Sequence, residues 1–286
     1  MSRAKIAVLG ATGRLGSALQ RQWGRQHLLG LARHPPADAA QWAEFVSADR
    51  RNTLALQDLL SRCDAVVDLC GFDLTDAQAL LQAVQQSGRT GLRLIAASSV
   101  AERPIAYWNQ PEHGASPPPS DDYGLHKRHY SDALLQHWPG PALAVLLPNL
   151  LQVHPVDPRL RRWWQEAAQT GVAPIPGSGQ QNVALLPTQT AAELIAQLLQ
   201  RPDLIGRLAL ACPRRPTVLA LASALFGGMA PAPRLQPGAP AGLFSAGPEI
   251  LALDALLAAL PGFAWPDLIA VFADLGGQLA RDPPGN

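Results

Sequence analysis

The chain has 286 residues, which is enough for one large α/β domain or for two lobes with a sizeable core. Hydrophobic residues make up 48% of it, as in ordinary globular proteins, and the formal net charge of +1 argues against nucleic acid or an anionic membrane as partner. Cys63, Cys70 and Cys212 form no CxxC pair, which favours reduced thiols. Because no apolar run reaches the roughly 18 residues of a membrane span, we expect a soluble cytoplasmic protein.

Strand and helix patterns alternate through the first half of the chain. Short apolar runs predict strands, in chain order, at KIAVLG, HLLGLAR, AEFVSAD, DAVVDLCG, LRLIAASS and ALAVLLPNLL. Helical spacing predicts intervening helices after GATGR and at TLALQDLLSR, DAQALLQAVQQSG and YGLHKRHYSDALLQHW. This order predicts an α/β fold, a doubly wound parallel sheet of the Rossmann type with helices on both faces.

The pattern loosens after Leu151. It predicts helices at RLRRWWQEAAQTG and QTAAELIAQLLQR, a brief strand at NVALLP, and two final helices over residues 251–260 and 267–279. Residues 104–119 and 231–248 are rich in proline and are predicted as loops. The fold prediction therefore adds a smaller lobe built after Leu151.

Three glycines follow the first predicted strand. Gly10, Gly13 and Gly16 stand between an apolar run and an amphipathic helix, which is the arrangement that binds a dinucleotide. The first glycine allows the tight turn, the second lets the backbone approach the pyrophosphate, and the third lets helix and strand pack closely. The helix N-terminus then offers N–H groups to the phosphates. The alternative is a merely tight βα turn, and the flanking pattern favours nucleotide binding.

The end of the second strand bears on the choice between NADP and NAD. Arg33 and His34 stand there, and the first acidic residue to follow is Asp38. An acid at this place would bond the ribose 2′-hydroxyl, whereas an arginine accommodates a 2′-phosphate. Arg14, inside the glycine turn, is a second candidate for that phosphate. We predict NADP, with NAD as the alternative if Arg33 is only a solvated surface charge.

A tyrosine and a lysine occur four residues apart in DDYGLHK. On a helix this spacing places Tyr123 and Lys127 on one face, where a lysine cation favours the phenolate form of a tyrosine that moves a proton. Such pairs are common on helices, so the pair alone is weak evidence for a catalytic role. Ser98 and Ser99 end the fifth predicted strand, at the sheet edge where ligands bind, and a serine there is placed to hold a substrate oxygen.

Together these segments resemble extended short-chain dehydrogenases/reductases, the family of NAD(P)-dependent nucleotide-sugar epimerases, dehydratases and reductases. The matching pieces follow in family order: GATGRLG, VSADRRNTLALQDLL, DAVVDLCG, IAASSV, YGLHK and LLPNLL. NVALLPTQTAAELIAQLL and LDALLAALPGFAWPDL resemble more loosely the family's returning strand–helix and its C-terminal lobe. The resemblance implies a dinucleotide-binding domain over residues 1–152, to which residues 183–212 return, and a substrate lobe formed by residues 153–182 and 213–286.

The resemblance also implies roles for individual residues. Tyr123 would be the general acid/base, Lys127 would assist it and bind the nicotinamide ribose, and Ser99, the last of its serine run, would orient the substrate oxygen. Asp49, with Arg50 beside it, would contact the adenine. The expected cofactor-binding residues are Gly10, Thr12, Gly13, Arg14, Leu15, Gly16, Arg33, Asp49, Arg50, Leu69, Cys70, Gly71 and Lys127.

Three departures from the family pattern affect the substrate more than the cofactor. VAERPIAYW replaces a VYG-like segment after the serines, Cys70 stands where alanine is usual, and LLPTQT lacks the histidine and the acid of a HVDD-like segment. The identity of the substrate is therefore left open by the sequence.

Trp108, Asn149 and Arg161 are the substrate candidates. Trp108 would cover a ring or anchor the loop, and Arg161 would meet a diphosphate or lie on a solvated helix face, which is the favoured alternative. The seven histidines show no metal-ligand spacing, so we predict no metal.

Three functions remain open. The first is an NADP-dependent oxidoreductase acting on a carbonyl or alcohol of a small-molecule substrate, such as a nucleotide-linked sugar. The second is an epimerase or dehydratase that keeps its cofactor, and the third is a non-catalytic cofactor-binding sensor or scaffold. The intact Ser99, Tyr123 and Lys127 argue against the third, and the predicted NADP preference favours the first over the second. The sequence leaves open whether a homodimer forms.

Overall fold

The computed structural model describes residues 5–24, 27–36, 39–111, 116–119, 121–240, 244 and 249–281. The chain divides into two compact units. The first contains Met1–Pro148, Thr188–Leu210 and Ala252–Pro261, and the second contains Asn149–Pro187, Ala211–Leu251 and Gly262–Asn286. Each unit is described by itself below.

The first unit is built on a parallel sheet of seven described strands. Its strands, in chain order, are β1 (Ile6–Leu9), β2 (Leu28–Ala32), β3 (Glu44–Ser47), β4 (Ala65–Asp68), β5 (Arg93–Ser99), β6 (Ala142–Leu147) and β10 (Gly206–Ala209). Their spatial order is β10-β6-β5-β4-β1-β2-β3, so the chain runs outward from β1 on one side and from β4 on the other. That reversal between β1 and β4 opens a crevice at the carboxyl ends of the strands, where doubly wound folds bind ligands. The predicted fold class is confirmed.

Helices connect these strands. The first unit has α1 (Arg14–Trp23), α2 (Thr53–Ser61), α3 (Leu74–Ser87), α4 (Asp122–His137), α6 (Thr188–Leu199) and α8 (Asp254–Ala259). Asp73 and Asp121 cap α3 and α4 by accepting backbone N–H groups three residues on. Gly88 ends α3 in the left-handed conformation, at a φ of +68°, as its position in the sequence predicts. These caps fix the starts of the two helices that flank the site.

The second unit combines two short strand pairs with helices. The strands β7 (Asn149–Leu151) and β9 (Leu185–Pro187) pair in parallel, as do β8 (Val172–Pro176) and β11 (Arg234–Ala239). Its helices are α5 (Pro158–Thr170), α7 (Val218–Phe226) and α9 (Leu268–Arg281). Trp163 and Trp164 are buried and pack against Phe226, so the tryptophans of the predicted RLRRWW helix belong to the core of this unit.

The structure corrects several element predictions. Residues 234–239, predicted as loop, form β11. The predicted strand ALAVLLPNLL is two strands, because Pro148 has no N–H to continue the ladder and β7 pairs with β9 instead of extending β6. The strands β8 and β10 and the helix α7 were not predicted, and a short 3-10 helix (Ile105–Tyr107) lies in the predicted 104–119 loop.

The compact unit that contains the parallel sheet includes residues 252–261, and the division into a cofactor domain and a substrate lobe stays a prediction. Parts of both predicted loops, together with Asp38 and His113, lie outside the described residues.

Candidate functional site

The glycine turn between β1 and α1 has the conformation that the sequence predicts. Gly10 has a φ of +81°, which disfavours any side chain there. A Cβ on Gly16 would lie 2.5 Å from the carbonyl oxygen of Ala11, so only glycine lets α1 pack this closely. Gly13 precedes α1 without a side-chain cap in the described structure. Thr12, Gly13 and Arg14 are exposed, whereas Leu15 is buried. The backbone N–H groups at the start of α1 are therefore presented as an anion site.

A cavity of about 460 Å³ adjoins this turn at the ends of β2, β3 and β4. The cavity is lined by Gly10, Thr12, Leu31, Ala32, Arg33, His34, Ala48, Asp49, Arg50, Arg51, Cys70 and Asp76. Six of the predicted cofactor residues are among them. Arg33 and His34 are exposed after β2, and Asp49 is exposed after β3, where its Oδ1 accepts the N–H of Arg51 at 2.8 Å. The position and size of the cavity suit the adenosine half of a dinucleotide.

A buried carboxylate lies beneath this cavity. Asp68, the last residue of β4, is 0% exposed and accepts six hydrogen bonds or ion-pair contacts, one of them from the Cys70 thiol at 3.7 Å. Its other partners are the backbone N–H groups of Cys70 and Gly71 (both 3.1 Å), the Tyr130 hydroxyl (2.7 Å) and the Nη1 and Nη2 atoms of Arg50 (3.2 and 2.9 Å). The carboxylate thus joins β4, the following turn, α4 and the segment after β3.

The charges of this cluster shift one another's ionisation. Burial disfavours the charge of Arg50, but Asp68, together with Tyr130, Cys70 and Asp76, outweighs burial and raises the pKa of the guanidinium. Cys70 is an exposed residue at the cavity, but desolvation of its thiol, together with Asp68, raises the pKa of the thiol to about 12. Burial and Asp68 also keep the pKa of Tyr130 well above its usual value. Cys70 is therefore a neutral thiol and Tyr130 a neutral phenol at ordinary pH, and neither is suited to proton transfer.

The predicted catalytic pair lies on α4. The Nζ of Lys127 donates to the carbonyl oxygens of Gly71 (2.7 Å) and Ala97 (3.2 Å), one in the turn after β4 and one in β5. Burial lowers the pKa of Lys127, and the charge of Asp68 opposes that effect. Tyr123 is 48% exposed, and its ring packs against Phe72 with centroids 5.9 Å apart. Lys127 is thus tied to the sheet edge, and an accessible phenol lies one helical turn away on the same helix.

The two serines at the end of β5 differ in their partners. Ser98 donates to Oε2 of Glu102 at 2.5 Å, and Glu102 is itself buried and paired with Arg207. Ser99 accepts the N–H of Ala101 at 3.2 Å, which leaves its own hydroxyl hydrogen for another acceptor. Ser98 is therefore committed to the core, whereas the role of Ser99 toward a substrate stays a prediction.

The predicted substrate residues are distributed over both units. Trp108, in the first unit, is half-buried, its indole N–H donates to the carbonyl of Arg103 at 2.8 Å, and its own carbonyl accepts the N–H of Ala252. These bonds favour the packing role that the sequence left open. In the second unit, Asn149 begins β7 and Arg161 is half-buried on α5. Their substrate roles stay predictions.

The sequence analysis did not assign six of the lining residues to the site, namely Leu31, Ala32, His34, Ala48, Arg51 and Asp76. Asp76 is buried and accepts from the N–H of Phe72 (2.8 Å) and from Nε of Arg51 (2.7 Å). The sequence signal that could have identified Asp76 is an acidic residue in the first turn of a helix that follows a central strand. In the described part of the chain, no group of three or more His, Cys, Asp or Glu side chains is placed to hold a metal ion.

The residues present fit a nicotinamide dinucleotide. The backbone at Gly10 and Gly16 leaves a cradle that a Cβ would fill, and the buried Nε of Arg50, 3.6 Å from Oδ1 of Asp76, makes no hydrogen bond in the described structure. Gly10, Gly13 and Gly16 would hold the pyrophosphate, the residues around Asp49 the adenosine, and Lys127 the nicotinamide ribose. When bound, the dinucleotide supplies hydride donor and acceptor chemistry at this edge of the sheet.

A substitution at Gly71 tests the packing that carries the site. A Cβ on Gly71 would collide with the ring and hydroxyl of Tyr130, so Gly71→Ala displaces the ring and breaks its bond to Asp68. We expect a loss of about 1–3 kcal/mol in the free energy of unfolding, measured by urea denaturation. Gly91→Ala is the control, since nothing lies within 4 Å of a Cβ there. Equal stability of the two variants would contradict the packing described for Asp68 and Tyr130.

The model of the NAD dependent epimerase/dehydratase family matches residues 6–204. No match was found among curated proteins. No helix in the described part of the chain is long and apolar enough to cross a membrane.

Solved structures share the fold at low sequence identity. UDP-N-acetylglucosamine 4-epimerase from Bacillus cereus is similar with a TM-score of 0.75 and 15% identity, over 97% of this chain and 96% of that one. The NAD-dependent NDP-hexosamine 5,6-dehydratase TunA has a TM-score of 0.74 and 16% identity, over 96% and 98%. UDP-glucose-4-epimerase from Stenotrophomonas maltophila, solved with NAD and formylated UDP-arabinopyranose, has a TM-score of 0.73 and 17% identity, over 98% and 99%.

Proposed function

Because the chain belongs to the NAD dependent epimerase/dehydratase family, we propose that it is an NADP-dependent oxidoreductase whose Ser99, Tyr123 and Lys127 act on a carbonyl or alcohol. The observation that carries the proposal is the position of Lys127, which reaches Gly71 and Ala97 at the sheet edge from the same helix as an accessible Tyr123. Ser99, at the end of the neighbouring strand β5, completes a site for an oxygen atom.

Each of the three side chains has a separate role in the proposed reaction. Ser99 donates a hydrogen bond to the substrate oxygen and orients it. Tyr123 gives the proton to that oxygen when a carbonyl is reduced and takes it back when an alcohol is oxidised. The cation of Lys127 favours the phenolate form of Tyr123 and donates to the ribose of the cofactor. The substrate class that the family and the named neighbours support is a nucleotide-linked sugar.

The charges at the rim of the cavity support NADP. Arg50 and Arg51 are bound to carboxylates, Arg50 to Asp68 and Arg51 to Asp73 and Asp76. Arg33 has no side-chain ion pair in the described structure and is exposed where β2 ends. It is therefore the rim cation that a 2′-phosphate would engage.

Arg33→Ala tests the cofactor assignment. A hydrogen bond to a charged group is worth about 1.5–3 kcal/mol, so we expect NADPH to bind tenfold or more weakly and NADH to bind unchanged. Calorimetry with both cofactors measures the difference, and Arg21→Ala, on the exposed last turn of α1, is the control. Equal losses for the two cofactors, or tighter NADH binding by the unaltered protein, would contradict the NADP preference.

An epimerase or dehydratase that retains NAD is the second candidate, favoured by the family that matches and by the NAD in the neighbouring structures. A panel of nucleotide sugars and simple ketones, followed by NADPH absorbance and by product chromatography, separates the two functions. Net oxidation of NADPH with a reduced product supports the oxidoreductase. Conversion of a sugar without net change in the cofactor supports the second candidate instead, and no hydride transfer on a broad panel would count against both.

A further inference from the structure

We propose that Asp68 is a positioning residue of this site, which binds Arg50 beneath the adenosine cavity and also fixes the turn that receives Lys127. The proposal rests on the function proposed above, because it assigns Asp68 to the support of Lys127. Asp68 itself is wholly buried and is not among the residues that line the cavity. It would therefore act only through its partners.

The geometry links the two ends of the site through one carboxylate. On the adenosine side, Asp68 holds Arg50, whose Nη2 also donates to the carbonyl of Asp76 at 3.0 Å. On the other side, Asp68 accepts the N–H of Gly71, and the carbonyl of the same Gly71 accepts from Lys127. One peptide turn is thus held at its N–H by Asp68 and at its C=O by Lys127.

Tyr130 closes this arrangement from α4. Its hydroxyl donates to Asp68, and both cations lie over its ring, the guanidinium carbon of Arg50 5.8 Å and the Nζ of Lys127 5.6 Å from the ring centroid. The ring face and the carboxylate both offset the charge of the two cations. A carboxyl group at the end of β4 is consequently required here by the presence of Arg50.

The arrangement predicts how Lys127 responds to each neighbour. Burial disfavours the charge of Lys127 most, Asp68 and Glu102 favour the protonated form, and Arg50 opposes it. Tyr123 lies one turn earlier on the same helix, and Tyr130 is a neutral phenol. Without the charge of Asp68, Glu102 would be the charged group left to oppose the repulsion of Lys127 by Arg50. Without Arg50, the attraction between the Asp68 carboxylate and the charge of Lys127 would no longer be offset by a neighbouring cation.

The chain offers a direct measurement, because Lys5 and Lys127 are its only lysines. The full chain is labelled with ¹³C-lysine, and the Cε signal of Lys127 is titrated by NMR, with Lys5→Arg assigning the two signals. Asp68→Asn is expected to lower the pKa of Lys127 by about one pH unit or more. Arg50→Leu is expected to raise it, and the double variant Arg50→Leu/Asp68→Asn to return it toward the unaltered value.

Tyr130→Phe is the matched control, since it removes a neutral donor from the same carboxylate and leaves both charges. It should leave the pKa of Lys127 within about 0.3 pH unit, because no charge changes. A merely structural role for Asp68 predicts the opposite sign, since loosening of the site would hydrate Lys127 and raise its pKa.

An unchanged or raised pKa of Lys127 in Asp68→Asn would overturn the proposal. If that variant does not fold, Arg50→Leu decides: a raised pKa of Lys127 supports the proposal and an unchanged one refutes it. The titration needs neither substrate nor turnover, so it can be read even if the proposed function is wrong.

Discussion

Tyr123→Phe is expected to lower kcat by about 10²–10⁴-fold, the usual contribution of general acid/base catalysis. The variant keeps the ring that packs against Phe72 and removes only the hydroxyl. That hydroxyl makes no hydrogen bond in the described structure, and the side chain is 48% exposed, so folding should be unaffected. The loss would therefore report proton transfer at the substrate oxygen rather than damage to the protein.

Tyr107→Phe is the control for this variant. Tyr107 ends the short 3-10 helix Ile105–Tyr107 and is half-buried, so removal of its hydroxyl changes a tyrosine of the same unit without touching α4. Turnover is measured on the first substrate that the panel identifies, and NADPH affinity is measured beside it. If Tyr123→Phe turned that substrate over at the unaltered rate, Tyr123 would not be the proton donor.

The arrangement around the glycine turn could be predicted from the sequence because its signals are local. Gly10 adopts a positive φ, and Gly16 lets the first helix pack closely against the turn. Both requirements arise within a few residues of the first strand. The spacing of Tyr123 and Lys127 is equally local, since one helical turn separates them. The alternation of strands and helices then places these segments at one edge of a parallel sheet.

The Asp68 cluster could not be predicted in the same way. Asp68 and Tyr130 are 62 residues apart, and Asp68 and Arg50 are 18 apart, and no local pattern joins them. A buried ion pair depends on which strands become neighbours and on how far each side chain reaches. The sequence indicated Arg50 only as a neighbour of the adenine, whereas the structure directs its guanidinium to a carboxylate under the cavity.

Proline explains why strand β11 was missed. Pro237 and Gly238 lie within β11, and Pro174 and Pro176 lie within its partner β8, a composition typical of loops. A two-stranded pair leaves one edge of each strand without ladder partners, so prolines are tolerated there. The register shift between Pro237 and Ala239 accommodates Gly238, whose φ is +100°.

Lys127→Met should reduce both turnover and cofactor affinity, because one side chain is proposed to serve both. Methionine keeps most of the aliphatic length but loses the charge and the bonds to the carbonyl oxygens of Gly71 and Ala97. Loss of a charged hydrogen bond to the ribose should weaken NADPH by about tenfold to a hundredfold. Loss of the cation beside Tyr123 should lower kcat as well, even at saturating NADPH.

Comparison with Tyr123→Phe separates the two roles of Lys127. Tyr123→Phe should lower kcat with unchanged NADPH affinity, whereas Lys127→Met should lower both, measured by calorimetry and by turnover at saturating NADPH. In Lys127→Met the carbonyl oxygens of Gly71 and Ala97 would lose their bonds to the lysine, which would also reduce stability. The melting temperature of each variant is therefore recorded. If Lys127→Met bound NADPH as tightly as the unaltered protein, the lysine would have no contact with the cofactor. Its bonds to Gly71 and Ala97 would then serve the turn alone.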